Sequence, residues 1–274
     1  MRVAVLGSGS RGNATFVETD ETRVLVDAGF SGRELERRLE ALGRSAADVD
    51  ALLLTHEHSD HTRGAGVFAR RHGVPVHLGP GTRNACAKLF RGTESLHEYR
   101  PGHPFQVGDV RVEPFLTAHD AADPVSVTLV GTACGTRVGM ATDLGRPTVQ
   151  VRHALADCHF LVLEANHDEV LLYEAPYPAQ TKARIRSSHG HLSNDAAARF
   201  AQELVHPGLL GIVLAHLSQE ANRPELARQE VTRTLHSTGY RGFIAVAAQD
   251  EPTDLFDLTR LRRGTAHPEQ IELL

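Results

Sequence analysis

The segment His56-Glu57-His58-Ser59-Asp60-His61 places four metal-ligand side chains within six residues, directly after the apolar run Ala51-Leu52-Leu53-Leu54. That run reads as a buried strand ending at Thr55. On the extended segment that follows, alternate His56 and His58 can point to one side and grip one metal. Asp60 and His61, at the start of the next helix, can then face a second. Zinc and manganese take imidazole nitrogen and carboxylate oxygen, and a dinuclear site needs about six to eight such ligands. A fold built around this cluster must therefore bring further His and Asp side chains to the same place. A solvated histidine cluster is the plainer alternative, and four ligand types packed this tightly at a strand end disfavour it.

The rest of the composition allows such a fold. A chain of 274 residues, 41% hydrophobic and 23% charged, can bury a large core. Its net charge of -5 excludes a wholesale basic nucleic-acid binder but leaves room for a local basic groove. Three widely spaced cysteines, Cys86, Cys134 and Cys158, do not form a disulfide framework or zinc ribbon, and Cys158 reads as a core residue. The N-terminus begins with a strand pattern, and no run of eighteen apolar residues occurs, so a cytoplasmic protein without membrane contact is expected.

Strand patterns at 2–6, 14–19 and 22–27 precede a helix at about 31–42, capped by Ser31 and stopped by Gly43. Helices are expected at 62–72 and 81–90 around a strand at 75–78. Strands follow near 104–107, 109–116, 125–131 and 136–142, then a helix after Pro147 and a strand at 159–164. Helices at 194–205 and 224–237 then alternate with strands at 210–214 and 242–247. The pattern predicts an α+β chain in which two packed β-sheets carry helices outside, an αββα sandwich over 1–253, with a polar tail at 254–274 whose structure stays open. Gly7-Ser8-Gly9-Ser10-Arg11-Gly12 matches a dinucleotide fingerprint, but strand-like residues follow it where a helix is required, so no nucleotide cofactor is expected. A tight glycine loop beside the site, with Asn13 hydrogen-bonded inside it, is the better reading.

The His56–His61 arrangement resembles that of the metallo-β-lactamase superfamily. The resemblance implies roles for residues at other strand ends. Asp27, after Val24-Leu25-Val26, would orient the metal loop. His119 would complete the first metal, Asp143 would bridge both, and His216 would complete the second. Two such metals, about 3.5–4 Å apart, can share a hydroxide that attacks an ester, amide or phosphodiester. Asp60 and Asp143 would then be catalytic as well as ligating.

Substrate is less constrained, because the superfamily cleaves lactams, thioesters, lactones and phosphodiesters. Between 175 and 194 the chain carries Lys182, Arg184, Arg186, His189 and His191 but no acid; a solvated basic loop is the plainer reading, a phosphate groove the functional one. His189-Gly190-His191-Leu192-Ser193-Asn194 opens a helix whose amides, with Ser193, could hold a phosphate while His191 protonates a leaving oxygen. The motif resembles one in β-CASP nucleases, but the 73 positions from Asp143 to His216 leave no space for their inserted domain. Glu164-Ala165-Asn166-His167-Asp168 follows a buried strand, and His167 is either near the metals or structural. These pieces, with Leu6–Asn13, Leu54–His61, Tyr177-Pro178, Lys182, Arg184-Ile185, Gly190–Asn194, Ala215–Ser218 and Asn222, closely resemble the YycJ/WalJ family over about residues 3–247.

That resemblance implies a manganese-dependent 5′→3′ exonuclease on single-stranded or end-frayed DNA, with zinc as an alternative metal and RNA as an alternative substrate. Arg184, Arg186 and His191 would bind phosphates, with Lys182, Ser193, Asn194 and His167 also at the substrate; Tyr173 or Tyr177 is a candidate for stacking a base, with core packing the plainer reading for at least one. The competing readings are a small-molecule phosphodiesterase or thioester or lactone hydrolase of the same fold, and a regulatory metal-binding module without activity. The intact ligand set argues against the last.

Overall fold

Period-two alternation in the strands generates two faces and hence two layers. In Arg2–Gly7 (β1), Val3 and Val5 face one side while Leu6 faces the other. The structure, a computed structural model, describes residues 1–264. After β1 come Ala14–Glu18 (β2), Arg23–Val26 (β3), Ala51–Leu54 (β4), Val76–Leu78 (β5) and Leu96–Glu98 (β6). Next are Phe105–Val107 (β7), Val110–Leu116 (β8), Val125–Gly131 (β9), Arg137–Ala141 (β10), Phe160–Glu164 (β11), Gly211–Ala215 (β12), Phe243–Val246 (β13) and Phe256–Asp257 (β14). The first sheet runs β14-β1-β2-β3-β4-β5-β6 and the second β13-β12-β11-β10-β9-β8-β7.

The helices are Gly32–Ala41 (α1), Ser59–Thr62 (α2), Ala65–His72 (α3), Pro80–Ala85 (α4), Val149–Leu155 (α5), Glu169–Glu174 (α6), Ala179–Ile185 (α7), Asn194–Glu203 (α8), Pro224–His236 (α9) and Leu258–Arg262 (α10). None is long and apolar enough to cross a membrane among the described residues. The inner faces of the sheets meet in one core that includes Val5, Val24 and Leu53 from the first and Val127, Met140 and Val162 from the second. Leu35 and Leu39 of α1, with Phe68 of α3, cover the outer face of the first sheet. Phe200 of α8 and Val231 of α9 cover the second. Each of these fully buried side chains contributes about 1.5–3 kcal/mol through removal of apolar surface from water. The expected αββα sandwich is therefore the fold, and Cys158 is a core residue with a free thiol.

Strand register positions the site. The parallel pairs Val26↔Leu53, Ala141↔Leu163 and Leu163↔Leu214 bring β3 and β4, and β10, β11 and β12, to a common end. Residues just beyond those ends are neighbours in space although far apart in sequence.

Three segments differ from expectation. The helix at 62–72 is two pieces, because the turn at Gly64 presses on Phe30: a Cβ there would lie 2.0 Å from the Phe30 carbonyl oxygen. The helix at 81–90 ends at Ala85 and gives way to a tight 3₁₀ turn. The stretch between the strand β11 and the helix α8 carries α6 and α7, and β6 also went unanticipated. The stretch left open from 254 supplies β14, which pairs with β1 and packs Phe256 on Phe160 and Phe243, followed by α10. Residues 265–274 of that tail, with His267, lie outside the described residues.

Glu18, at the end of β2, ties three segments together. Arg44 grips its carboxylate with two bonds of 2.8 and 2.7 Å, and Arg2 approaches to 2.6 Å. Burial alone would raise its pKa, but the bond to Arg44 and the charges of Arg2, Arg44 and Arg23 outweigh it and lower the pKa. Such a carboxylate stabilises the fold above its unfolded pKa and loses that effect as pH falls. We predict that Glu18→Gln costs about 1–3 kcal/mol at neutral pH. The gap to wild type in urea denaturation should close as pH falls below roughly 4.

Candidate metal centre

Eight side chains from the ends of five strands, and from the loops beyond them, converge between the two sheets. Asp27 follows β3, and His56, His58, Asp60 and His61 follow β4. From the second sheet come His119 beyond β8, Asp143 beyond β10 and His216 just after β12. Nitrogens of His56, His58 and His119 form one group of candidate ligand atoms within 4.8 Å of one another. Asp60, His61 and His216 form a second, and Asp143 shares a third group with His56 and His61 that lies between them. The structure brings together the side chains that the sequence reading assigned to each half-site.

Hydrogen bonds on the far side of each ring fix which nitrogen faces inward. Asp27 Oδ2 lies 2.7 Å from Nδ1 of His61, while its other oxygen accepts from the Thr55 backbone N–H and hydroxyl. The Thr55 hydroxyl also meets Nδ1 of His56 at 3.0 Å, which leaves Nε2 of His56 aimed inward. Nδ1 of His119 donates to the carbonyl of Gly190 at 3.2 Å, and its Nε2 faces Nδ1 of His58, also at 3.2 Å. Such outer contacts fix tautomer and ring orientation in metal sites. Three residues here, Asp27, Asp143 and His216, hold left-handed backbone conformations with φ of 63°, 55° and 58°. Non-glycine residues adopt that region at a cost of about 1–3 kcal/mol, and such strain gathers at functional sites.

The residues fit a pair of divalent cations. Nε2 of His56 is buried without a hydrogen-bond partner, a costly state that a cation would relieve, and Oδ2 of Asp143 is buried 3.0 Å from Nε2 of His61. Imidazole and carboxylate donors suit zinc, manganese or iron alike. The electrostatics agree. Burial opposes charge on His216, but Asp143 and bonds to Asp60 and Glu164 raise its pKa to about 10. Burial, together with the neighbouring His61, pushes His56 well below its ordinary value.

Glu164 is the residue that sequence reasoning passed over. It is wholly buried at the end of β11, and its Oε1 lies 2.8 Å from Nδ1 of His191 and 3.0 Å from Nδ1 of His216. Its carboxylate also accepts from the backbone of Asp143, Leu144 and Leu192. Burial would raise its pKa, yet the charge of His191 and bonds to His191 and His216 bring it to about 2. The usable signal was its place: like Asp27, Asp143 and His216, it stands where an apolar strand stops.

The remaining candidates divide. His191 joins Asp143, Glu164 and His216 in one cluster, and its side chain keeps 20% exposure where His216 keeps 6%. Arg184 stands at the rim, bonded to Asp120, whose other oxygen lies 3.7 Å from His119 Nε2. Arg186 pairs with Glu169 at 2.8 Å, and Lys182 donates to the carbonyl of Tyr173. Ser193 and Asn194, expected at a phosphate, are engaged elsewhere. Ser193 caps α8 through the Ala196 N–H, and Asn194 forms a reciprocal amide pair with Asn222. His167 is 1% exposed, with neither ring nitrogen hydrogen-bonded. The glycine loop does lie beside the site: Asn13 bonds Gly9 and reaches Asp60, and Ser8 accepts from the His216 N–H. His72, His77, His97, His103, His153, His159, His206 and His236 lie outside these ligand groups.

If Glu164 orients His216, Glu164→Gln should lower metal affinity about 10–100-fold in titration calorimetry while the protein stays folded. Unchanged affinity would remove Glu164 from that role.

Comparison with known proteins places this geometry in a family. The model for the metallo-beta-lactamase superfamily matches residues 7–149. Exodeoxyribonuclease YycJ of Bacillus anthracis is 36% identical over 242 residues, covering 88% of this chain and 91% of its own. Exodeoxyribonuclease WalJ of Streptococcus pneumoniae serotype 2 is 33% identical over 238 residues, covering 85% and 88%. The crystal structure of the metallo-beta-lactamase fold protein YhfI from Bacillus subtilis aligns with a TM-score of 0.70 over 92% of this chain and 99% of that one. At 18% identity that likeness speaks for the fold alone. The chain therefore belongs to the YycJ/WalJ family of metal-dependent hydrolases within the metallo-β-lactamase superfamily.

Proposed function

We propose that this protein hydrolyses phosphodiesters of DNA, as a 5′→3′ exonuclease acting on single-stranded ends, with two divalent metals and manganese as the native ion. His56, His58 and His119 would hold one ion, Asp60, His61 and His216 the other, and Asp143 both. The names of the two relatives support the substrate class, and the resemblance described above supports strand polarity and metal.

The observation that carries the reading is the Glu164–His191 pair beside the ligand cluster. Bound divalent ions would supply Lewis acidity and bring the pKa of water towards neutrality. The residues then divide the remaining work. Burial would lower the His191 pKa, but the Glu164 charge and hydrogen bond outweigh it and raise the pKa, which favours the protonated imidazole. With Nδ1 engaged by Glu164, Nε2 is the atom free to act. As water adds to phosphorus and the bond to the leaving oxygen breaks, His191 can give that oxygen its proton, a contribution of roughly 10²–10⁴-fold. Arg184, at the rim, can hold a neighbouring phosphate through its planar fork. Arg186 can do the same by exchanging Glu169 for the strand.

End-labelled single-stranded DNA and RNA, incubated with manganese, zinc or chelator, test this directly. Ordered shortening of DNA from the 5′ end, abolished by chelator, is the expected result. His191→Ala should lose about a hundredfold or more in kcat while retaining both metals. Turnover confined to bis-p-nitrophenyl phosphate, a thioester or a lactone would replace this reading with a small-molecule hydrolase.

A further inference from the structure

We propose that the helix α6 presents Tyr173 as a stacking platform for unpaired bases of the substrate strand; this rests on the nucleic-acid reading above and deepens it. Tyr173 is 74% exposed, and Val170, one turn earlier on the same face, is 64% exposed. On the opposite face Leu172 is completely buried against Ala175 and Ala221, with Tyr177 packed alongside. Of the two candidate tyrosines, one is thus committed to packing and the other is held out to solvent. The helix buries its other side and leaves this ring open to solvent.

The helix is tied to the loop that carries His216. Asp168 caps α6 by accepting from Val170 and Leu171, and its own N–H binds the Ala221 carbonyl. Two residues earlier, Asn166 donates to the carbonyl of His216. The adjoining α7 runs back towards the site, where the Ile185 carbonyl accepts from the His191 N–H. Glu169 and Arg186 join the two helices. The six residues of α6 span about 9 Å, so Tyr173 stands a short way from residues that touch the candidate ligands.

Its surroundings favour one occupant. Lys182 holds its ammonium at the Tyr173 carbonyl, 5.9 Å from the ring, and although Glu174 follows Tyr173 directly, no acidic residue occurs between 175 and 194. Aromatic faces beside cations are the means by which proteins hold single strands without reading sequence. Two exposed apolar side chains are far too little for a stable protein interface, which needs about 1,000 Å². The occupant is therefore a single-stranded segment, its bases on Tyr173 and its phosphates near Lys182 and Arg186.

The test compares wild type, Tyr173→Ala and Tyr173→Phe in the full chain with manganese. Tyr173→Ala should raise KM for a single-stranded deoxyoligonucleotide at least fivefold, up to about a hundredfold, with kcat little changed. Tyr173→Phe should restore it, because the ring and not the hydroxyl stacks. Wild-type KM in Tyr173→Ala would overturn the platform, as would an equal loss on bis-p-nitrophenyl phosphate, which offers no strand to hold. Should the wild type cut no DNA, the nuclease reading itself fails. Anisotropy of a fluorescent oligothymidylate, read in an Asp60→Ala background, then decides the platform separately: weaker binding in Tyr173→Ala supports it, and equal binding overturns it.

Discussion

Two buried carboxylates, one from each sheet, set the orientation of His56, His61, His191 and His216. Asp27, beyond β3, fixes His61 directly and His56 through Thr55. Glu164, at the end of β11, fixes His216 and His191. Each carboxylate engages Nδ1 and leaves Nε2 pointing into the space between the sheets. Remove this constraint and the same histidines would be a solvated cluster with no common target. The left-handed backbone at Asp27, Asp143 and His216 is the conformational cost of turning the chain sharply at the strand ends.

Neither sheet supplies a complete half-site. The group containing His56 and His58 needs His119 from the other sheet, and that containing Asp60 and His61 needs His216. The shared core of Val24, Leu53, Met140 and Val162 therefore does more than stabilise the sandwich: it brings the halves into register. Metal binding would then be coupled to closure of the sandwich, and a bound cation would add folding free energy at the buried Nε2 of His56, which has no hydrogen-bond partner. The catalytic reading uses the same framework, since Glu164 touches both a candidate ligand and the candidate acid.

Much of this was legible from sequence, for a definite reason. Candidate ligands such as Asp143 and His216 stand where apolar runs stop, and strand ends aligned by parallel pairing become neighbours. Glu164 obeys the same rule, but His167, a histidine three positions later, is the more conspicuous functional residue type in that loop. α6 and α7 are too short for a helical period to emerge, although Asp168 was a capping signal. Ser193 and Asn194 show the opposite hazard. Residues that suit a phosphate also suit a helix start, and here the cap and the pair with Asn222 claim them. Exposure was the quantity sequence could not provide, and it separates Tyr173 from Tyr177.

The central claim is a dinuclear site assembled from both sheets, and anomalous diffraction from crystals grown with manganese measures it most directly. The account predicts two anomalous peaks flanking Asp143, one among His56, His58 and His119 and the other among Asp60, His61 and His216. A single peak at saturating manganese, or peaks lying away from Asp143, would contradict it.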